Sequence, residues 1–241
     1  MSQEKAEALV LRGVDYSETS RIVTFLTPER GKLTCIAKGV RRKNSPLASI
    51  LDTFNQVELV YYWKEGREVH TLGEATLLHG FPGIKRDLER CSFGAVPLEL
   101  ASRTAHDNEP SHDFYRTMLA GLSDMERWRG TARIHCAWQL ARLLVSAGFA
   151  PELGHCVHCE GKIGHNPGFD LDGGAVCDRC PAERRYARPI FDALAALFQA
   201  TEGCPQVEHE ELLFRLVRAY MTRQTETDYR SLRVLHDMFG S

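Results

Sequence analysis

The apolar positions of the first eighty residues fall into short β-prone runs. These are Ala8-Leu-Val-Leu11, Arg21-Ile-Val-Thr-Phe-Leu26, Lys32-Leu-Thr-Cys-Ile-Ala37, Val57-Glu-Leu-Val-Tyr-Tyr-Trp63 and Val69-His-Thr-Leu72, the last extending toward Leu78. Pro28-Glu-Arg-Gly31 is a turn signal between the second and third runs, and Lys64-Glu-Gly66-Arg-Glu makes a hairpin loop between the fourth and fifth. Five short strands with a long connection between the third and fourth predict a small closed barrel of the OB type. An SH3-like barrel fits the strand count nearly as well.

After Pro82 the pattern becomes helical. Asp87 to Ala105 and Ser111 to Arg127 are predicted helices, the second opening with Ser111 as N-cap and Asp113 in its first turn. Thr131 to Ala147 carries a stripe of Ile134, Trp138, Ala141 and Val145, flanked by Ala137, Leu140 and Leu144. So wide an apolar face predicts a helix buried among others, closed by Gly148 and Pro151. Two further stripes follow, Ile190/Leu194/Leu197/Phe198 and Leu213/Leu216/Val217/Tyr220, and a short helix is predicted from Arg230 to Met238. The expected class is α+β: a barrel over 1–80, then a helical domain over 81–241 into which a zinc ribbon is inserted at 155–181.

That ribbon is the most specific chemistry in the chain. Cys156-Val-His-Cys159 and Cys177-Asp-Arg-Cys180 are two Cys-x-x-Cys pairs separated by seventeen residues. Each pair directs two thiolates into one tight turn, and a loop of this length lets the turns meet around a tetrahedral zinc ion. Four thiolates leave zinc no open position for substrate or water, so the expected Zn2+ is structural. His155, His158 and His165 lie close by and could replace a cysteine as ligand, but with four thiolates present they are expected to be bystanders. The other cysteines (Cys35, Cys91, Cys136, Cys204) are scattered, and the first three, set among apolar residues, read as buried small hydrophobes.

Composition makes this an ordinary soluble chain, 43% hydrophobic and 26% charged over 241 residues. No apolar stretch approaches the ~18 residues needed to span a bilayer. Met1-Ser-Gln-Glu-Lys-Ala-Glu lacks the pattern of a signal peptide, so a cytoplasmic protein is expected, with no membrane partner. The formal net charge of -2 argues against indiscriminate nucleic-acid binding by the whole surface. Charge is nonetheless uneven. From Arg30 to Lys43 there are six Lys or Arg and no acid, whereas Glu202 to Glu211 carries acids and no Lys or Arg.

Within that basic stretch, Lys38-Gly-Val-Arg41-Arg42-Lys43 follows a barrel strand, where OB barrels take nucleic acid. Most charge runs are merely solvated loops. This one, with Gly39 inside it, reads as a flexible cationic loop able to follow a phosphate backbone without reading bases. Tyr61, Tyr62 and Trp63 alternate faces of a strand, so at least one ring is expected outside the core as a stacking platform. Arg30 and Lys32 join the candidates on charge alone.

Catalytic motifs are missing. Gly31-Lys32 lacks the rest of a phosphate loop, and His209-Glu210-Glu-Leu-Leu213 has leucine where a zinc protease needs histidine. No His-x-Glu precedes the cysteine pairs as in a deaminase, and no Gly-x-Ser-x-Gly elbow occurs. A non-enzyme is expected.

Taken in order, several segments resemble the bacterial RecO family of recombination mediator proteins, over nearly the full chain. They are Tyr16-Ser-Glu-Thr-Ser20, Thr27-Pro-Glu-Arg-Gly31-Lys32, Ala37-Lys-Gly-Val-Arg-Arg42, and Leu51-Asp-Thr-Phe54, where the family often shows Leu-Gln-Pro-Phe. Leu144-Val-Ser-Ala-Gly148-Phe-Ala-Pro151-Glu-Leu followed by the four cysteines is similar to the zinc-bearing branch, and Tyr229-Arg-Ser-Leu232 to the closing motif. The resemblance implies an OB barrel that binds single- and double-stranded DNA and a helical domain with a zinc element. It implies work beside RecR, the single-strand-binding protein SSB with its acidic C-terminal tail, and RecA: replacing SSB by RecA and annealing complementary strands, without ATP hydrolysis. It implies a DNA-binding role for Lys38, Arg41 and Arg42; Lys43, Arg30 and Lys32 are added from charge. A nucleoid-associated cytoplasmic protein follows. The competing expectation is a zinc-ribbon protein-interaction module in transcription or translation, with the basic loop serving solubility.

Overall fold

The computed structural model describes residues 2–240. Five strands, β1 (Ser2–Asp15), β2 (Arg21–Thr27), β3 (Gly31–Ala37), β4 (Gln56–Trp63) and β5 (His70–His79), form a sheet in the order β1-β2-β3-β5-β4 that closes through β1 and β4. All neighbours are antiparallel except β3 and β5, which meet in a short parallel seam at Cys35 and Ile36 opposite His70 and Thr71. Alternation along each strand sends Ala8, Val23, Phe25, Leu33, Cys35, Val57, Leu59, Tyr61 and Leu72 into one core.

β1 is far longer than the four residues Ala8 to Leu11 that apolarity singles out. Ser2 to Leu9 pair with β4 and Leu9 to Asp15 with β2, so one strand serves both neighbours. Its outer half is polar because it faces water. The long connection after β3 holds a four-residue helix, α1 (Leu47–Ile50), and α2 (Pro82–Lys85) follows the barrel.

The remaining helices are α3 (Leu88–Thr104), α4 (His112–Arg127), α5 (Ala132–Ser146), α6 (Arg188–Gln199), α7 (Glu210–Thr225) and α8 (Arg230–Phe239), with a hairpin of β6 (Gly168–Asp170) and β7 (Gly174–Val176) between α5 and α6. Ser111 does precede α4, but its hydroxyl donates to the Thr27 carbonyl instead of capping the helix. Thr131 caps α5, accepting from Ile134 N–H, and Gly148 ends it at a left-handed φ of 86°. α5 is buried on nearly every side, as its breadth of apolar residues requires, although Val145 is exposed.

The chain groups into two compact units, one of residues 1–91 and 98–126, the other of 92–97 and 127–241. α4 thus belongs with the barrel. Glu126 at its end accepts from Gly83 N–H, and Arg90 donates to the carbonyls of Met125 and Glu126. The α3–α4 loop also bonds the β2–β3 turn, through Lys32 N–H to His106 O and Asn108 N–H to Arg30 O. Gly31 is required there. Its φ is 58°, and a Cβ would lie 2.5 Å from the carbonyl oxygens of both His106 and Glu109.

In the second unit, Pro97 sits inside α3 and has no N–H to give the Phe93 carbonyl four residues earlier. The buried Cys136 thiol takes that acceptor, its sulfur 3.3 Å from Phe93 O, and burial pushes its pKa far up. Cys35 and Cys136 are buried as expected; Cys91 is half-exposed.

Candidate nucleic-acid interface and metal centre

The segment after β3 is a pinned turn and not a flexible loop. Val40 is buried in the barrel core, Gly39 adopts φ 71°, and Arg42 N–H bonds the Gly39 carbonyl. Arg41 ties this turn to the β1–β2 loop. Its N–H bonds Thr19 O, its guanidinium donates to Ser17 O at 2.7 Å, and its Nε lies 3.2 Å from the Asp15 carboxylate that Arg21 also contacts. Arg41 shares the single Asp15 charge with Arg21, whereas Lys38, Arg42 and Lys43 are exposed with no carboxylate in ion-pair reach among the described residues.

Arg30 and Lys32 lie at the other end of β3, about 20 Å from Lys38 at ~3.3 Å per residue. Arg30 is half-buried, 2.8 Å from Glu4, with its guanidinium carbon 4.1 Å from the centre of the Trp63 ring. Tyr61 also donates to Glu4, and Trp63 stacks on His70 at 4.1 Å. Lys32 lies 3.8 Å from Asp107. The structure therefore gathers Lys38, Arg41, Arg42 and Lys43 in one place and sets Arg30 and Lys32 apart, each beside a carboxylate. Sequence gave no sign of those partners, which lie 26 and 75 positions away.

Of the three adjacent rings, Tyr61 is buried and Trp63 is enclosed by Arg30 and His70, which leaves Tyr62 on the outer surface. Burial pushes the Tyr61 hydroxyl up to about 12, reinforced by Glu4. His70 is lowered, chiefly by burial and then by the Arg30 charge.

In the second unit the four cysteine sulfurs lie within 4.8 Å of one another, and among the described residues this is the one such cluster of His, Cys, Asp and Glu. Cys159 and Cys177 are 3.7 Å apart, far beyond the ~2.05 Å of a disulfide. That separation matches the ~3.8 Å edge of a tetrahedron with ~2.3 Å metal–sulfur bonds, so the donor set fits a tetrahedral thiophilic ion such as zinc.

Backbone geometry builds the two knuckles. Cys156 N–H bonds Gly161 O, and Glu160, at φ 57°, returns its N–H to Cys156 O. In the second, Cys180 N–H bonds Cys177 O, while Arg185 donates to the carbonyls of Cys177, Cys180 and Asn166. Gly174, at φ 135°, brings the hairpin so near Glu152 that a Cβ would sit 2.1 Å from its carbonyl oxygen. His158 is turned to Asp170 at 2.9 Å, away from the sulfurs.

Burial opposes ionisation of Cys156, but backbone hydrogen bonds at Cys177, His158 and Cys159 outweigh it and bring the thiol down to about 6. Cys177 is also lowered, first by the backbone at Arg179. Cys180 is pushed up to about 12, chiefly by its hydrogen bond with Cys159. Four sulfurs at this spacing compete for negative charge, which a cation between them would relieve.

The Glu4 carboxyl shows how Arg30 is used. Burial is the largest single influence and would raise its pKa. The Arg30 and Tyr61 hydrogen bonds and the Arg30 charge win, holding it below its ordinary 4.5. A depressed carboxyl contributes stability in full above its unfolded pKa and loses it as pH falls through the lower folded value. Glu4→Gln should therefore destabilise the protein by on the order of 1 kcal/mol near neutrality, and that difference should shrink as pH falls below the ordinary carboxyl value of 4.5 in urea titrations. A difference independent of pH would contradict this assignment.

The family profile described as "Recombination protein O N terminal" matches residues 1–81, and "Recombination protein O C terminal" matches 85–233. The protein named DNA repair protein RecO of Nocardioides sp. is 37% identical over 94% of this chain and 96% of its own. Its namesake in Exiguobacterium sibiricum is 30% identical over 98% of both chains, and that of Bacillus subtilis 31% identical over 81% of this chain and 75% of its own. Both halves of the molecule, barrel and cysteine-bearing helical part, fall within these matches, and the chain belongs to the RecO family.

Proposed function

We propose that this protein is a DNA-binding recombination mediator of DNA repair, acting by electrostatics and not by covalent catalysis. The observation that carries the reading is the trio of exposed, uncompensated cations Lys38, Arg42 and Lys43 on a turn fixed by Val40 and Arg41. The strand order β1-β2-β3-β5-β4, closed through β1 and β4, is read as an OB-type barrel, and nucleic acid is a common ligand of that architecture. Family membership supports DNA repair as the setting, in the cytoplasm at the nucleoid. Among the described residues no helix is long and apolar enough to cross a membrane.

Lys38, Arg42 and Lys43 neutralise phosphates and release counterions, which binds single- and double-stranded DNA without sequence readout. Arg41 fixes the turn and adds to its positive field. Arg30 and Lys32, each beside a carboxylate, are left out of the contact. Holding two strands on one cationic face favours annealing of complementary strands. Exchange of SSB for RecA with the help of RecR completes the proposed role. The four cysteines hold Zn2+ as a closed structural site through Cys156, Cys159, Cys177 and Cys180.

The triple substitution Lys38→Ala/Arg42→Ala/Lys43→Ala should weaken oligonucleotide binding and reduce the slope of log affinity against log salt by about 2 for single strands, with thermal stability unchanged. An unchanged slope sinks the assignment. Elemental analysis should find about one zinc per chain, lost together with the fold of 155–181 when Cys177 is replaced by serine. A fully folded, metal-free preparation with four free thiols would count against the metal.

A further inference from the structure

Tyr62 belongs to an outer row that runs across all five strands of the barrel. Register places Ile22 opposite Ile36, Ile36 opposite Thr71, Thr71 opposite Tyr62, and Tyr62 opposite Gln3. Each belongs to the alternation opposite the core residues Val23, Cys35, Leu72 and Tyr61, so the row faces outward. It carries no carboxylate and no fully charged side chain. Tyr62 is the one aromatic in it, 37% exposed.

The barrel makes room for that ring. Register shifts between Val60 and Tyr61, so Gly73 is the extra residue of a bulge on β5. A Cβ built on Gly73 would lie 3.2 Å from Tyr62 Cε2 and 3.2 Å from the Val60 carbonyl. Glycine thus lets the tyrosine settle against the neighbouring strand without an intervening side chain. The neighbouring aromatics have other duties: Tyr61 bonds Glu4 from the core side, and Trp63 is engaged by Arg30 and His70.

Lys38 lies two residues beyond Ile36, one past the end of β3. Two strand spacings and two residue rises put it about 12 Å from Tyr62, inside the ~4–16-nucleotide footprint of one OB-type barrel. We infer that Tyr62, seated against Gly73, is a stacking platform for an unpaired base of a single DNA strand whose phosphates are held at Lys38, Arg42 and Lys43. This rests on the DNA-binding reading above and adds to it a means of preferring single strands, because a paired base has no free face to offer. An uncharged ring set between the Thr71 hydroxyl and the Gln3 amide suits the flat face of a base, while the cations beyond it suit the backbone.

The test compares Tyr62→Ala and Tyr62→Phe with the unaltered full chain on three probes of equal length: a single strand, the same strand with abasic sites, and a duplex. Tyr62→Ala should lose about tenfold in affinity for the base-bearing single strand, from the range of measured base–aromatic stacking, and lose nothing on the abasic strand or the duplex. Its salt slope should not change, since no phosphate contact is removed. Tyr62→Phe keeps the ring and should restore binding. Equal losses on base-bearing and abasic strands, or no loss on either, would overturn the inference while leaving DNA binding intact. Failure of the unaltered protein to bind any of the three would overturn the DNA reading itself, and this inference with it. Melting curves of both variants separate a lost contact from a lost fold.

Discussion

Closure of the five-stranded sheet through β1 is the constraint on which the barrel's candidate site depends. One fourteen-residue strand pairs with β4 along its first half and with β2 along its second, so neither end of the sheet is left as an open edge. That closure sets Asp15, at the end of β1, beside Arg21 and Arg41. It also brings Glu4, at the strand's beginning, against Arg30 and Tyr61. Two carboxylates on one strand thereby engage Arg30 and Arg41 of the six cations between Arg30 and Lys43, and Asp107 of the α3–α4 loop engages Lys32.

Charge in this protein is informative through its pairing. A net charge of -2 gives no hint of a nucleic-acid partner. The structure sorts the basic stretch into Arg30 and Lys32 beside acids at one end of β3, Arg41 as a brace, and three solvent-facing cations beyond the other end. Positive field is thus concentrated on a turn whose backbone is already fixed. The cysteine cluster is the reverse case: four sulfurs within 4.8 Å compete for negative charge, which a cation between them would relieve.

Much of this was legible in the chain. Strand and helix cores, the cysteine spacing and the basic run all depend on short-range pattern, and the structure places them close to where that pattern does. What escaped depends on partners far away in sequence. Residues 2–7 read as polar because half of them face water, so the length of β1 was hidden. The Glu4–Arg30 pair joins positions twenty-six apart. Ser111 looked like an N-cap, yet its hydroxyl serves a strand carbonyl eighty-four residues earlier. Gly39 suggested a flexible loop, whereas buried Val40 beside it anchors the turn. A single weak signal, a glycine inside a β-prone run at Gly73, marked the place where Tyr62 needed room.

On the proposed reading, DNA is held by the barrel and not by the ribbon. Hydrogen exchange of backbone amides with and without a single-stranded oligonucleotide tests it most directly. Slowed exchange is expected over residues 36–46 and 60–73, with the cysteine segment 155–181 unchanged. Protection confined to 155–181, with the barrel segments unaffected, would contradict it.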